Sequence, residues 1–463
     1  MGTERAEIAI IGGGVVGCAV LRALTLAGHD AILLERGGDI LSGASKANSA
    51  ILHTGFDAPP GSLEVALMQL GRRIYLDIHE RLNLPILETD AVLVAWSAAE
   101  AEKLPAIAAK AHKNGVPDVQ PLAMDALRAR HPHLAASAVA ALFVPGEHII
   151  DPWSSPLAYA LQAVINGARV WRDATVTATT RIPDGWRLTT KRGTIDAGII
   201  INCAGNFGDF VEALGRKPAF SITPRKGQFV VFDKTATRVM PTIVLPVPTE
   251  RTKGVVLCPT IFGNVLVGPT AEDQQERERA TVDQTTLERL LAEAARMVPA
   301  LADEPVTATY AGLRPASDRS DYIIEAQTTD AWITVAGIRS TGLTAALGIG
   351  AHVAGLVEAH FQSRTPLSDP VWPHMPNLAE HLPRDHERPG RGALVCLCET
   401  VTRDEIEAAL SGPLPAGDLA GLKRRTRAMM GRCQGFNCLA DICALSADRL
   451  LVPPPLPDRA DAR

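Results

Sequence analysis

The stretch IAIIGGGVVG, residues 8–17, decides how this chain folds. Residues 7–11, EIAII, form a short apolar run that reads as a buried strand. Gly12, Gly14 and Gly17 follow with G-x-G-x-x-G spacing, and a helix is predicted from about Val15 to Ala27, ended by Gly28. A second apolar run, AILLE, ends at Glu35. Strand, glycine turn, helix and acid-terminated strand in this order specify a dinucleotide site. The glycines allow a tight turn and let backbone approach a pyrophosphate. The helix N-terminus supplies N–H donors and the positive end of its dipole, and Glu35 accepts from ribose hydroxyls.

The bulk composition narrows the remaining classes. With 463 residues the chain can hold two or three domains, and 46% hydrophobic with 21% charged residues marks it as globular. A net charge of −5 and 4% aromatics leave neither a basic footprint nor a stacking surface for nucleic acid. No uninterrupted apolar run reaches bilayer-spanning length, and MGTERAE ahead of the first strand is polar rather than leader-like. The expected location is the cytoplasm, with membrane contact at most peripheral and through a partner.

Working outward, apolar periodicity predicts helices at 62–82, 97–113, 123–130, 155–166 and 281–298, and a strand-rich block at 225–269. ARVWRDATVTATT reads as a strand pair, and INCAG closes another buried strand. The expected fold class is α/β. A discontinuous Rossmann-like domain (1–85, 146–215, 315–362) would carry an inserted antiparallel-sheet substrate domain (86–145, 216–314). A Pro-rich, charged linker spans 363–391, a small helical domain 392–450, and a disordered tail 451–463.

That small domain holds four cysteines: Cys396 and Cys398 in C-x-C, then Cys433 and Cys438 in C-x4-C. Four thiolates complete a tetrahedral zinc site or the shell of a [2Fe–2S] cluster, and spacing alone leaves both open. The other cysteines, including Cys443, read as small buried hydrophobes in a reducing compartment. Gly431 and Gly435 would let backbone N–H groups approach sulfur. The basic run Lys423–Arg427 would offset cluster charge, dock an acidic partner, or simply form a solvated helix face.

The order GGGVVG, Glu35-Arg36, GASKANSAILH, INCAG and GIRSTGLTAALGI resembles the FAD-dependent amino-acid oxidase and glycerol-phosphate dehydrogenase superfamily. C-x-C-E, L-K-R-R-T-R and M-G-x-C-Q-G-x-x-C resemble the bacterioferritin-associated-ferredoxin-like [2Fe–2S] domain. The resemblance implies FAD rather than NAD, and iron–sulfur rather than zinc. It places Gly43-Ala44-Ser45 on the pyrophosphate and a Val176 backbone contact at adenine. Gly337, Gly342 and Leu343 would form a second glycine-bearing turn covering the flavin, with a helix opening at residue 343.

The same resemblance supplies candidates for the reaction. A lone His is ordinarily a satisfied structural residue, but His53 falls in the N-S-x-x-x-H segment that such enzymes place beside the flavin. There it would act as general base on a substrate hydroxyl. Arg314, in AGLRPASD, would clamp an anionic substrate, with Arg339, Ser340 and Lys253 as further anion contacts; an ordinary ion pair is the plainer role for Arg314. Asp151-Pro152 reads as a turn. The expected activity is FAD-dependent oxidation of a small anionic secondary alcohol. Glycerol 3-phosphate is the first choice and a 2-hydroxy acid the second. Electrons would pass through [2Fe–2S] to an acceptor subunit or quinone-linked partner. An amine or amino-acid dehydrogenase subunit of the hydroxyproline or nopaline type, and an electron-relay subunit without substrate chemistry, remain as alternatives.

Overall fold

The computed structural model describes residues 3–248 and 254–454. Three parallel strands form its centre: β1 (Thr3–Ile11), β2 (Ala31–Leu34) and β3 (Gly193–Asn202), with Ile8 facing both Ala31 and Ile199. Their apolar runs are buried on both faces, which is why they lack the alternation of a half-exposed strand. Helix α1 (Val15–Leu26) packs against the end of β1 through the glycines. A Cβ on Gly17 would lie 1.9 Å from the Gly12 carbonyl oxygen, and one on Gly12 (φ +111°) would lie 2.4 Å from that of Cys203.

β3 changes partners along its length. Its first half pairs antiparallel with Gly185–Thr190, and residues 200–202 pair parallel with Trp332–Ala336. ARVWRDATVTATT holds two strands, but they do not pair with each other. Arg169–Trp171 extends the sheet beyond β2, while Val176–Ile182 pairs with Gly185–Thr190. Asp173, at φ +53°, turns the chain between them.

Helix α2 (Leu63–Ile78), capped by the Ser62 side chain, and helix α3 (Gly342–His360) cover one face together with α1. The α2–α3 crossing is unusually close: a Cβ on Gly71 would meet the Thr344 oxygen at 2.2 Å, and one on Gly348 the Leu67 oxygen at 2.2 Å. Among the described residues α3 is the one helix long and apolar enough to cross a membrane. Here it lies between α1 and α2 as a core helix.

The second sheet draws on residues 91–144 and 222–317. It is antiparallel except where Ile243–Pro246 runs parallel to Ala91–Ala95. Its long ribbon, β4 (Ile222–Phe232) with β5 (Val306–Ser317), sets Gly227 opposite Gly312 and Arg225 opposite Arg314. Gly312 lets β5 lie against the 44–49 segment, since a Cβ there would fall 2.7 Å from that of Ala47. The Tyr310 hydroxyl donates to the Asn48 carbonyl beside it.

Residues 363–391 differ from a free tether. They run extended along the first domain, with Trp372 beneath Arg22 and Arg81 and with Leu378 and Ala379 buried. The C-terminal module follows, with helices Arg403–Ala409, α4 (Leu419–Thr426) and Leu439–Ser446 around a core of its own. Its last helix starts at residue 439 rather than 436, because Gln434 and Gly435 take positive φ in the loop between the cysteines. Residues 451–454 are not detached, since the Val452 N–H donates to the Gly417 carbonyl. The rest of the expected tail lies outside the described residues.

Replacing Gly348 by Ala should force α2 and α3 apart and cost about 1–3 kcal/mol. Urea denaturation of the purified variant measures this; an unchanged midpoint would refute the close crossing.

Candidate active site and cluster site

A cleft of about 880 Å³ runs from the glycine turn to the underside of the β4–β5 ribbon. Gly12, Gly14, Glu35, Arg36, Ser45, Val176, Gly337, Gly342 and Leu343 all line it, whereas Gly17 serves helix packing. Glu35 is buried and organises the turn. Its Oε2 accepts from the Gly13 N–H at 2.8 Å, and its Oε1 from the Gly37 N–H at 2.7 Å and the Ser42 hydroxyl at 3.1 Å. Ser45 Oγ accepts from the Val15 N–H at 2.9 Å, which sets it at the N-terminus of α1. Arg36 turns away from this turn, pairing with Glu278 at 2.6 Å and stacking on Phe207. At the far end Gly337 takes φ +71°, and α3 opens at Gly342, one residue earlier than expected.

His53 enters the same cleft just after the short strand Ile51–Leu52. Its Nδ1 lies 2.8 Å from Oε2 of Glu147, and its backbone N–H donates to the Thr344 hydroxyl at the start of α3. Glu147 is fully buried, and its other oxygen accepts from the Thr54 N–H at 2.6 Å and hydroxyl at 2.7 Å. Burial alone would raise this carboxyl. The neighbouring His53 and the hydrogen bonds from His53 and Thr54 outweigh it and hold the group below the usual carboxylate range. A carboxylate at Nδ1 fixes the tautomer and leaves Nε2 free to accept a proton. Glu147 escaped the sequence reading because it is 94 residues from His53. Its only local signal is an acid ahead of the apolar strand His148–Ile150, with no cation nearby in sequence.

Arg314 also lines the cleft, on β5. One guanidinium N–H donates to the Thr270 carbonyl at 2.5 Å. Burial, then the adjacent Arg225, push its pKa down to about 10, so the cation is short of compensating charge. The plainer alternative, an ion pair with a nearby acid such as Asp318 or Asp321, is absent among the described residues. Asp321 instead caps the first N–H groups of α2, and Asp318 accepts from the Ser221 hydroxyl. Arg339 and the exposed Ser340 reach the cleft, Arg339 donating to the Arg319 carbonyl. Lys253 lies outside the described residues. Asp151 forms the turn expected, its Oδ1 accepting from the Trp153 and Ser154 N–H groups.

In the C-terminal module the thiols come together as two couples, Cys398 with Cys433 and Cys396 with Cys438. Each couple also feels the other, Cys398 through Cys396 and Cys438 through Cys433, so the four thiols form one group. Two thiolates for each of two irons is the donor arrangement of [2Fe–2S]. Backbone N–H groups of Asn437, Gly435 and Phe436 point at Cys433 and lower its pKa, favouring the thiolate that a metal binds. Burial beside Cys396 pushes Cys438 up to about 12, a cost that a bound cation removes. The basic run is not a solvated face. Arg424 and Arg427 are 5% exposed, and Arg427 pairs with Glu399 at 3.1 Å while lying over the ring of Phe262.

A glycine-turn nucleotide domain whose cleft continues beneath a sheet-bearing second domain is the architecture of a two-domain flavoprotein. The chain belongs to the FAD dependent oxidoreductase family, which matches residues 7–356, and the BFD-like [2Fe-2S] binding domain matches residues 394–446. It is similar to a glycerol 3-phosphate dehydrogenase from Caloramator mitchellensis, 31% identical over 96% of this chain and 94% of that protein. It is also similar to the L-2-hydroxyglutarate dehydrogenase of Escherichia coli K12, 27% identical over 59% of this chain and 65% of that protein. The solved structure of dithionite-reduced L-alpha-glycerophosphate oxidase from Mycoplasma pneumoniae with FAD bound superimposes with a TM-score of 0.75. That match has 28% identity and covers 80% of this chain and 98% of that one. The protein is therefore an FAD-dependent oxidoreductase carrying a [2Fe–2S] domain.

Replacing Glu147 by Gln should leave FAD uptake intact and slow substrate reduction of the flavin about 10²-fold or more, since the His tautomer is no longer imposed. Stopped-flow absorbance reads this; an unchanged rate would remove Glu147 from the site's function.

Proposed function

We propose that this enzyme oxidises glycerol 3-phosphate, an anionic secondary alcohol, and exports the electrons through its [2Fe–2S] domain. The carrying observation is that the His53–Glu147 pair and the half-buried Arg314 cation share one cleft with the dinucleotide turn. An alcohol losing hydride must also lose its hydroxyl proton, and His53 Nε2 is the acceptor that Glu147 leaves available. Arg314 binds the phosphate end, with Arg339 and the Asp273-paired Arg225 also lining the cleft. The β4–β5 ribbon lines the substrate half of the cleft with Gly227, Phe229 and residues 311–316. FAD, when bound, supplies the hydride acceptor, held by Gly12–Gly14, Glu35, Ser45 and the Gly337–Gly342 turn.

Export is supported by the exposure of the cluster site. Cys398 and Cys433 are only partly buried. Leu397 beside them is 64% exposed and Phe436 is 91% exposed, an apolar surface of the kind that meets another molecule. The L-2-hydroxyglutarate dehydrogenase relative favours a 2-hydroxy acid as the second substrate class.

Anaerobic flavin bleaching against glycerol 3-phosphate, 2-hydroxyglutarate and a secondary amine ranks the three classes, and glycerol 3-phosphate should bleach fastest. His53→Ala should slow bleaching about 10²–10⁴-fold with FAD still bound. Arg314→Gln should raise KM for glycerol 3-phosphate about tenfold or more. Fastest bleaching by the amine, or full-speed bleaching in His53→Ala, overturns the reading.

A further inference from the structure

The hairpin-like loop of residues 37–42 stands between the nucleotide turn and the iron–sulfur module and touches both. On one side Gly37 and Ser42 donate to Glu35, and the Leu41 N–H donates to the Gly13 carbonyl at 2.8 Å. On the other side its Asp39 side chain is fully buried against the module. The Arg425 guanidinium donates to both Asp39 oxygens, the Gly417 N–H donates to Oδ2 at 3.1 Å, and Arg424 donates to the Ile40 carbonyl at 2.9 Å. Arg172 of the nucleotide domain stands 3.6 Å away from the same carboxylate.

The fit is as close as backbone allows. A Cβ on Gly421 would fall 1.7 Å from Asp39 Oδ2, and one on Gly417 would fall 1.9 Å from the Gly38 carbonyl oxygen. The loop thus has little freedom to move on one face without moving on the other. We infer that the 37–42 loop couples FAD binding to docking of the [2Fe–2S] module, with Asp39 and Arg425 as the positioning residues. Dinucleotide contacts that order the Glu35 turn also order the seat of the module. By linkage, a docked module must tighten FAD to the same extent. The inference rests on FAD occupying this cleft; it adds that the module is seated through the cofactor's own loop.

The test uses the full chain with its cluster retained, stripped of FAD and then titrated with FAD. In the unaltered protein, FAD should slow amide exchange across residues 415–425 about tenfold. Arg425→Gln should raise the FAD dissociation constant about tenfold and abolish that response, with Arg425→Lys intermediate. Gly421→Ala, which displaces the module without changing charge, should act in the same direction even if Arg425→Gln folds poorly. Iron content and the visible cluster spectrum confirm that the module itself is intact. FAD bound with constants within about twofold of the unaltered protein in Arg425→Gln and Gly421→Ala overturns the coupling alone. So does exchange across 415–425 that ignores FAD. Failure of the unaltered chain to bind FAD at all overturns the cofactor reading and the coupling together.

Discussion

A carboxylate taken out of water is costly unless donors converge on it, and this structure is organised around a few that are. Glu35, Asp39, Glu147, Glu212 and Glu399 are each no more than 6% exposed. Each sits where two pieces of chain must be held in register. Glu212 receives the side chains of Asn202, Trp332 and Thr334, and so ties the end of β3 to the strand beside it. Glu147, just ahead of the strand His148–Ile150, ties that strand's entry to His53. Glu399 pairs with Arg427 next to a cluster cysteine. Removing any one partner leaves a buried charge rather than a mere gap, which is why such pairs define position more than they add stability.

This explains what could be read from the chain and what could not. Gly12, Gly14 and Gly17 were legible because their spacing between an apolar run and a helix is a local pattern, although the contact that demands glycine at position 12 is with the distant Cys203 carbonyl. The cysteine quartet was legible because thiolate ligands recur at short spacing. The partners of the buried acids were not. Glu147 and His53, or Asp39 and Arg425, lie far apart, and nothing in either segment announces the other. The run at 423–427 shows the same limit from the basic side. Its charge is plain in sequence, but whether it faces water or a buried carboxylate depends on tertiary packing.

The cleft also shows why substrate is harder to assign than cofactor. Its cofactor half is built by backbone and by Glu35, with geometry dictated by a fixed ligand shape. Its substrate half is built by side chains from β4, β5 and the 337–342 turn, whose roles depend on which anion they meet. Arg314 shares the ribbon with Arg225, but Arg225 is paired with Asp273 and Arg314 has no acid partner among the described residues, while the His53–Glu147 pair stands at the ends of two short strands.

The extended strap at 363–391 has a consequence for how the chain could be cut or recombined. It lies along the nucleotide domain, with Leu367 bonded to Leu26 and Met375 to Leu82, and then reaches the second domain, where Glu380 bonds to Ile261. A gene truncated after α3 would not yield a simple oxidase with a clean surface. It would leave Asp39 and the faces of Phe262 and Arg22 stripped of their cover. Conversely, grafting residues 392–450 onto another flavoenzyme would transfer the cysteines without the surface that receives them. The two parts are separable as sequence families and inseparable as objects.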